Sequence, residues 1–224
     1  MGKRFTKYLD YIKQCLITFI YDDEHRCVLC GNEIDDKNLC LPCMKKLKRN
    51  NENPIWYKNK FYIFSALYYT SEAKELLLNF KYKKNFQCGE VIASLMIECI
   101  KENNIEFDYI IPAPIKADSY KTRGFNQSLM LSKTIGAHFD RKVLDVLFFN
   151  KNIRNQKTLN KYDREKNIKG SISIKSTNIN LENSKILIID DVITTGSTLN
   201  ECVSIVKGDK NILIKVLTGM KSSI

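Results

Sequence analysis

The chain lacks any run approaching the roughly 18 to 20 consecutive apolar residues of a membrane span, so no membrane-spanning helix is expected. It lacks internal repeats and low-complexity tracts, and its 224 residues suit one domain with a small appendage. It has only two histidines, His25 and His138; neither has an evident catalytic partner, and neither is assigned a role. It offers no obvious strong nucleophile. The stretch YIKQCLITFIY has a short apolar core, is preceded by Asp10 and has no small-residue cleavage site. It reads as an amphipathic helix of the folded protein rather than a signal peptide, and a cytoplasmic location follows as the expectation.

What the chain has in excess is positive charge, a formal +11. Such an excess favours polyanionic partners: nucleic acid, nucleotides or an anionic membrane surface. The 29 lysines against 7 arginines, with 21 asparagines, also look like AT-rich coding bias, so scattered lysines alone decide little. There are eight cysteines, at 15, 27, 30, 40, 43, 88, 99 and 202. Without a secretion signal, paired cysteines argue for metal over disulfides.

Four of them fall as Cys27-Val-Leu-Cys30 and Cys40-Leu-Pro-Cys43, nine residues apart. Two CxxC knuckles can set four thiolates tetrahedrally around one zinc, with Gly31 able to take the left-handed turn after the first. Four ligands close the coordination sphere, so the zinc is expected to be structural. Disulfides and unpaired buried thiols are the alternatives. Arg26, Lys37, Lys45, Lys46, Lys48 and Arg49 make this ribbon basic; it suits nucleic acid, a protein partner or a solvated face. Cys15, Cys88, Cys99 and Cys202 lie on apolar helical faces and read as core residues.

The remaining chain alternates strands and helices. Residues 1–20 read as helix, 50–56 (NNENPIW) as a linker, and 61–69 as a strand. A helix from SEAKELLLNFKY has Ser71 as its N-cap. Helix 88–102, strand 107–114, helix 126–139 with Asn126 as a possible N-cap, and strand 142–149 follow. A polar, basic segment, 150–170, precedes SISI at 171–174. Strand 184–190, helix 197–207 and strand 211–219 complete the pattern, which implies an α/β fold with a largely parallel sheet.

The segment ILIIDDVITTGST (186–198) carries the most chemistry. Ile186–Ile189 deliver Asp190 and Asp191 to the carboxyl end of a strand, where open α/β sheets bind ligands. Adjacent carboxylates are costly unless something positive lies beside them. Thr195, Gly196, Ser197 and Thr198 then open a helix, whose free amides and dipole favour a phosphate. A ligand with hydroxyls, or a bound Mg²⁺, at one end and a phosphate at the other satisfies both; a ribose 5-phosphate is one.

This segment resembles the binding signature for phosphoribosyl pyrophosphate (PRPP) of type I phosphoribosyltransferases at all 13 positions. The resemblance implies that Asp190 and Asp191 hold the ribose hydroxyls, and that Thr194, Thr195, Gly196, Ser197 and Thr198 hold the 5-phosphate. A receiver-like Mg²⁺ site and a degenerate site that has lost PRPP are the alternatives. Three further segments extend the likeness. IIPAPIKADSYKTRGFNQS (110–128), the Gln156, Leu159, Arg164, Asn167, Gly170 pattern and NFKYKKN (79–85) resemble the ComF family. Its members are late competence proteins that join a zinc ribbon to a type I phosphoribosyltransferase domain.

That resemblance implies an N-terminal helix and four-cysteine zinc ribbon over 1–50 and a phosphoribosyltransferase-like domain over 51–224. It implies a pyrophosphate loop with Lys81, Arg123 and Gly124, and catalytic roles for Gln156 and Arg164. The implied cofactors are structural zinc, with Cys27, Cys30, Cys40 and Cys43 as metal ligands, and Mg²⁺ with PRPP. Implied partners are PRPP, single-stranded DNA, and a competence helicase or other DNA-uptake protein. Two departures stand out: Ser171-Ile172 follow Gly170 where an aromatic is common, and Tyr120 stands where a basic residue is common. Three functions follow. One is PRPP binding coupled to handling of imported single-stranded DNA. Another is an active phosphoribosyltransferase (a pentosyl-class glycosyltransferase) releasing pyrophosphate. The third is a non-catalytic PRPP-sensing regulator. No motif names an acceptor.

Overall fold

Apolar runs of the sheet period lie where the sequence places strands, and the computed structural model describes residues 26–35, 38–58, 60–150, 168–176, 179–208 and 211–222. The strands are β1 (Ile55–Tyr57), β2 (Phe61–Tyr68), β3 (Tyr109–Pro112), β4 (Lys142–Val143), β5 (Leu147–Phe149), β6 (Ile172–Ile174), β7 (Lys185–Ile193) and β8 (Leu213–Lys221). The helices are α1 (Leu41–Lys46), α2 (Ser71–Tyr82), α3 (Phe86–Glu102), α4 (Ala117–Arg123), α5 (Gln127–Phe139) and α6 (Ser197–Lys207). The expected helix over 1–20, Cys15, His25 and most of the basic segment, including Gln156 and Arg164, lie outside the described residues.

Six strands form one sheet in the order β1-β2-β8-β7-β3-β4. Every pairing in it is parallel except the antiparallel edge β1–β2. β5 and β6 form a separate antiparallel hairpin. The α/β class with a mostly parallel sheet is therefore as the alternation implies. β7 lies inside the sheet and is covered on both faces, which is why it reads as a near-continuous apolar run. Leu187 and Ile189 enter a core with α2, α3 and α5; Ile186, Ile188 and Ile193 enter a second core with α6 and the β5–β6 hairpin.

The helices start where local chemistry allows. Thr70, not Ser71, caps α2, accepting from the Ala73 amide at 3.4 Å. Asn126 caps α5 by accepting from the amides of Ser128 and Leu129, and donates to the Ala113 carbonyl at 3.1 Å. That bond ties the end of β3 to the start of α5. Gly89 allows α2 and α3 to approach closely, since a Cβ there would lie 2.6 Å from the Phe80 ring.

Further sequence expectations change: the strand read over 142–149 is divided, with β4 at the edge of the main sheet and β5 in the separate hairpin. Residues 50–56 are not a free linker: Ile55–Tyr57 pair with β2, and Asn50 and Lys48 bond to Ala66 and Tyr68 of the same strand. The β2 edge offers unpaired amides and carbonyls that this segment satisfies. The segment before Arg123 is a short helix rather than an open loop. The cysteine-bearing segment also shares the first core, burying Cys27, Leu39, Cys43 and Leu47 there. Arg49 adds ion pairs to Glu98 and Glu102 of α3, and Asn38 donates to Glu90.

Candidate ligand site at the carboxyl edge of the sheet

β7 runs through the acidic pair to Ile193, so the pleat sends Asp190 and Asp191 to opposite faces. Each meets a different partner. Ser128, in the first turn of α5, donates its hydroxyl to Asp190 Oδ1 at 2.8 Å, and the Asp191 amide donates to the same oxygen at 2.9 Å. Lys81 of α2 places its ammonium 2.9 Å from Asp191 Oδ1. This ammonium is the positive charge that two adjacent carboxylates require. Among the described residues, Oδ2 of both aspartates has no hydrogen-bond partner. Burial, then the neighbouring Asp191 charge, pushes the Asp190 carboxyl up to about 7, against the pull of Ser128, the Asp191 amide and Lys81.

Past Ile193 the chain turns sharply. Gly196 adopts φ +73° and caps α6 with no side-chain hydrogen bond; the Ser197 amide donates to the Thr195 hydroxyl at 3.5 Å, and the next amides of the first turn, which a helix leaves without internal partners, face the position an anion would take. The Thr195 and Ser197 hydroxyls lie 3.0 Å apart, and Thr194 and Thr198 flank them. Tyr57 braces this turn: its hydroxyl donates to the Thr195 carbonyl at 2.7 Å. A Cβ on Gly196 would lie 2.7 Å from the Tyr57 ring.

Arg123 ends α4, and Gly124 follows in the left-handed conformation, φ +82°. Arg123 Nη1 donates to Gln127 Oε1 at 2.8 Å, and the guanidinium lies 5.4 Å over the Tyr82 ring. Gln127 is buried and donates in turn to the Phe125 carbonyl. Lys81 and Tyr82, consecutive on the last turn of α2, thus touch the acidic pair and the arginine respectively. The β5–β6 hairpin carries the ends of the basic segment. Asn150 bonds to Ser171 and Gly170, and the Gly170 amide donates to Glu201 of α6 at 2.6 Å.

Sequence reasoning missed Ser128, Tyr57, Gln127 and Glu201 as supports of this site. Tyr57 carried no signal, since it lies just past residues read as linker. Ser128 ended a quoted motif without a role. Lys81, expected in the pyrophosphate loop, instead lies against Asp191; its place on the face of α2 that also carries Ala73, Leu76, Leu77 and Phe80 marks it as inward-facing, but not which group it meets.

The four cysteines Cys27, Cys30, Cys40 and Cys43 converge, with all four sulfurs within 4.8 Å of one another. Tetrahedral ligands at the zinc–sulfur distance sit about 3.8 Å apart, and the Cys30 and Cys40 sulfurs are 3.6 Å apart. The donor set and its spacing fit zinc, and no disulfide forms among the described cysteines. Burial, then the other thiols, pushes Cys43 up to about 12, whereas Cys27 falls to about 6 because the amides around it outweigh its burial. Four thiolates so close need a cation to ionise together. Cys88, Cys99 and Cys202 are buried in the cores, as read from the sequence.

Among the described residues no helix is long and apolar enough to cross a membrane. No family model matches the chain. The adenine phosphoribosyltransferase of Leishmania donovani is a structural neighbour over 75% of this chain and 86% of that one, with TM-score 0.42 and 8% identity. So distant a likeness leaves the site to be read from its own geometry. Competence protein F of Haemophilus influenzae is 28% identical over 182 residues, covering 78% of this chain and 75% of that protein. Competence protein ComFC of Streptococcus pneumoniae is 25% identical over 213 residues, covering 78% of this chain and 90% of that protein. Over that 78% of its length the chain is a homologue of the ComF/ComFC competence proteins.

Proposed function

We propose that the chain binds PRPP at the carboxyl edge of the sheet, on a type I phosphoribosyltransferase-like domain spanning 51–224, and serves the handling of imported single-stranded DNA in the cytoplasm. One observation carries the ligand reading: two carboxylate oxygens without partners among the described residues stand on the same β7–α6 connection as a glycine-opened helix N-terminus. Vicinal hydroxyls donate to the first, and a phosphate accepts from the second.

In this reading Asp190 and Asp191 orient the ribose, and Thr194 to Thr198 hold the 5-phosphate. Arg123 and Gly124 lie toward the pyrophosphate, with Gln127 and Tyr82 holding the guanidinium in place. Gln156 and Arg164 complete the leaving-group side on the strength of the resemblance alone. If an acceptor reacts, pyrophosphate departs from C1, and positioning together with charge on the leaving group supplies the catalysis. Mg²⁺ accompanies PRPP as the counter-ion of its pyrophosphate. The basic balance of +11 and the names of the similar competence proteins support the DNA role. A competence helicase or another DNA-uptake protein is the proposed protein partner.

Calorimetric titration with PRPP plus Mg²⁺, with and without an oligonucleotide, tests this. Saturable PRPP binding, lost in Asp190→Asn/Asp191→Asn, is expected, as is oligonucleotide binding that weakens steeply with salt. No heat with PRPP overturns the ligand reading; salt-insensitive or absent oligonucleotide binding overturns the DNA role. Pyrophosphate release in an acceptor screen would make the protein an enzyme.

A further inference from the structure

We propose that Lys81 is the resident counter-cation of the acidic pair, making it a site for a sugar's hydroxyl edge from which a divalent metal ion is excluded. This rests on the reading of Asp190 and Asp191 as a diol site and deepens it.

Adjacent carboxylates ordinarily invite Mg²⁺. Here a positive charge is already in place. Lys81 is 8% exposed and Asp191 7%, so water screens neither partner and the ammonium is not a loosely swung surface group. The lysine lies on the buried face of α2, with Ala73, Leu76, Leu77 and Phe80; that register aims its side chain at β7, and these apolar neighbours offer the ammonium no alternative partner. Its target, Asp191 Oδ1 at 2.9 Å, is an oxygen that a metal would otherwise ligate. A divalent ion bound to Asp191 would sit roughly 4 Å from the ammonium, where like charges in a poorly screened setting repel strongly. Mg²⁺ also demands near-ideal octahedral geometry and gives up its waters reluctantly.

Asp190 offers no better position. Its Oδ1 already accepts from Ser128 and from the Asp191 amide. The acidic pair therefore does not fit Mg²⁺. Among the described residues, what remains is one Oδ2 on each aspartate, two acceptors beside an ammonium. Neutral hydroxyl donors suit that arrangement; a second cation does not. Any Mg²⁺ that enters is held by the ligand's own diphosphate rather than by these carboxylates.

The test titrates the full-length, zinc-loaded chain with Mn²⁺ alone and reads bound metal by electron paramagnetic resonance. The wild type is expected to show no Mn²⁺ site that depends on Asp191. Lys81→Met is expected to bind Mn²⁺ more than about tenfold more tightly, and adding Asp191→Asn to it to remove the gain. A wild-type Mn²⁺ site abolished by Asp191→Asn overturns the proposal, as does a folded Lys81→Met that gains no affinity. Lys81→Arg keeps the charge and behaves as the wild type. If circular dichroism shows Lys81→Met unfolded, the comparison of wild type with Asp191→Asn decides alone. PRPP titration separates the two readings. PRPP binding alongside an Asp191-dependent Mn²⁺ site in the wild type sinks only this inference; neither PRPP binding nor such a site sinks only the ligand reading.

Discussion

Replacing Asp190 with asparagine should stabilise the protein at pH 8 and change little below about pH 4. The carboxyl is pushed from its ordinary 3.8 up to about 7, by burial and then by the Asp191 charge. The protonated form is therefore the one the fold prefers. Stability from this group is fully present below the unfolded value near 4, and is lost as pH rises through about 7. Carried in full, that displacement corresponds to about 4 kcal/mol. Asp190 keeps part of its surface open, and hydration there trims the effect to about 2–4 kcal/mol. Asparagine preserves the shape and the oxygen that accepts from Ser128 and the Asp191 amide, and carries no charge to desolvate. Urea unfolding of both proteins at pH 3.5, 5 and 8 isolates the group as a difference, since the cysteine cluster and other titrations are common to both. The expected difference is near zero at pH 3.5, is already substantial at pH 5, and grows in favour of the variant until it levels off above about pH 7. The same variant should lose PRPP affinity, because an amide cannot offer a second carboxylate oxygen to the diol. A difference that is flat with pH, or that favours the wild type at pH 8, refutes the reasoning.

Metal analysis should find about one zinc per chain; Cys27→Ser and Cys40→Ser should remove it and lower the melting temperature, and full retention of zinc would refute the ligand set. Gly196→Ala should cost about 1–3 kcal/mol, from strain at positive φ and collision with the Tyr57 ring, and should weaken inorganic phosphate binding measured by calorimetry. Tyr57→Phe, which removes the bond to the Thr195 carbonyl, should cost about 1 kcal/mol with a smaller loss of phosphate affinity. Leu47→Ala should cost about 2–5 kcal/mol in a single cooperative thermal transition, because Leu47 shares the core of α2 and α3; a separate low-temperature transition would show that the cysteine-bearing segment unfolds independently.

Much of this architecture was legible in residue order. The alternation of apolar runs with helical periods implied the mostly parallel sheet, and helix 197–207 was read to the residue. Its signals are local: a glycine-opened start, a helical apolar stripe and a glycine after the end. The paired CxxC spacing likewise announced the four converging sulfurs, because knuckle and turn chemistry operates over a few residues. Where reading failed, the deciding contact was distant. Residues 50–56 read as linker because they are polar and contain a proline; their end runs into the edge strand Ile55–Tyr57 because β2 offered unpaired backbone groups. Thr70 outcompeted Ser71 as the α2 cap by sitting at the end of the incoming strand.

The ligand site divides in the same way. The acidic pair and the TTGST turn lie in one continuous stretch, so residue types and order alone specified a carboxylate pair beside an anion cradle. Which charge balances the aspartates, what holds Arg123 and what braces Gly196 were decided only in three dimensions. Lys81 and Asp191 are 110 residues apart, and Tyr57 and Thr195 138 apart. Local stereochemistry selects elements and turns from neighbours along the chain. Sheet order and helix packing select which elements face each other, and at this site they set an ammonium against one carboxylate and, among the described residues, leave one oxygen on each aspartate open.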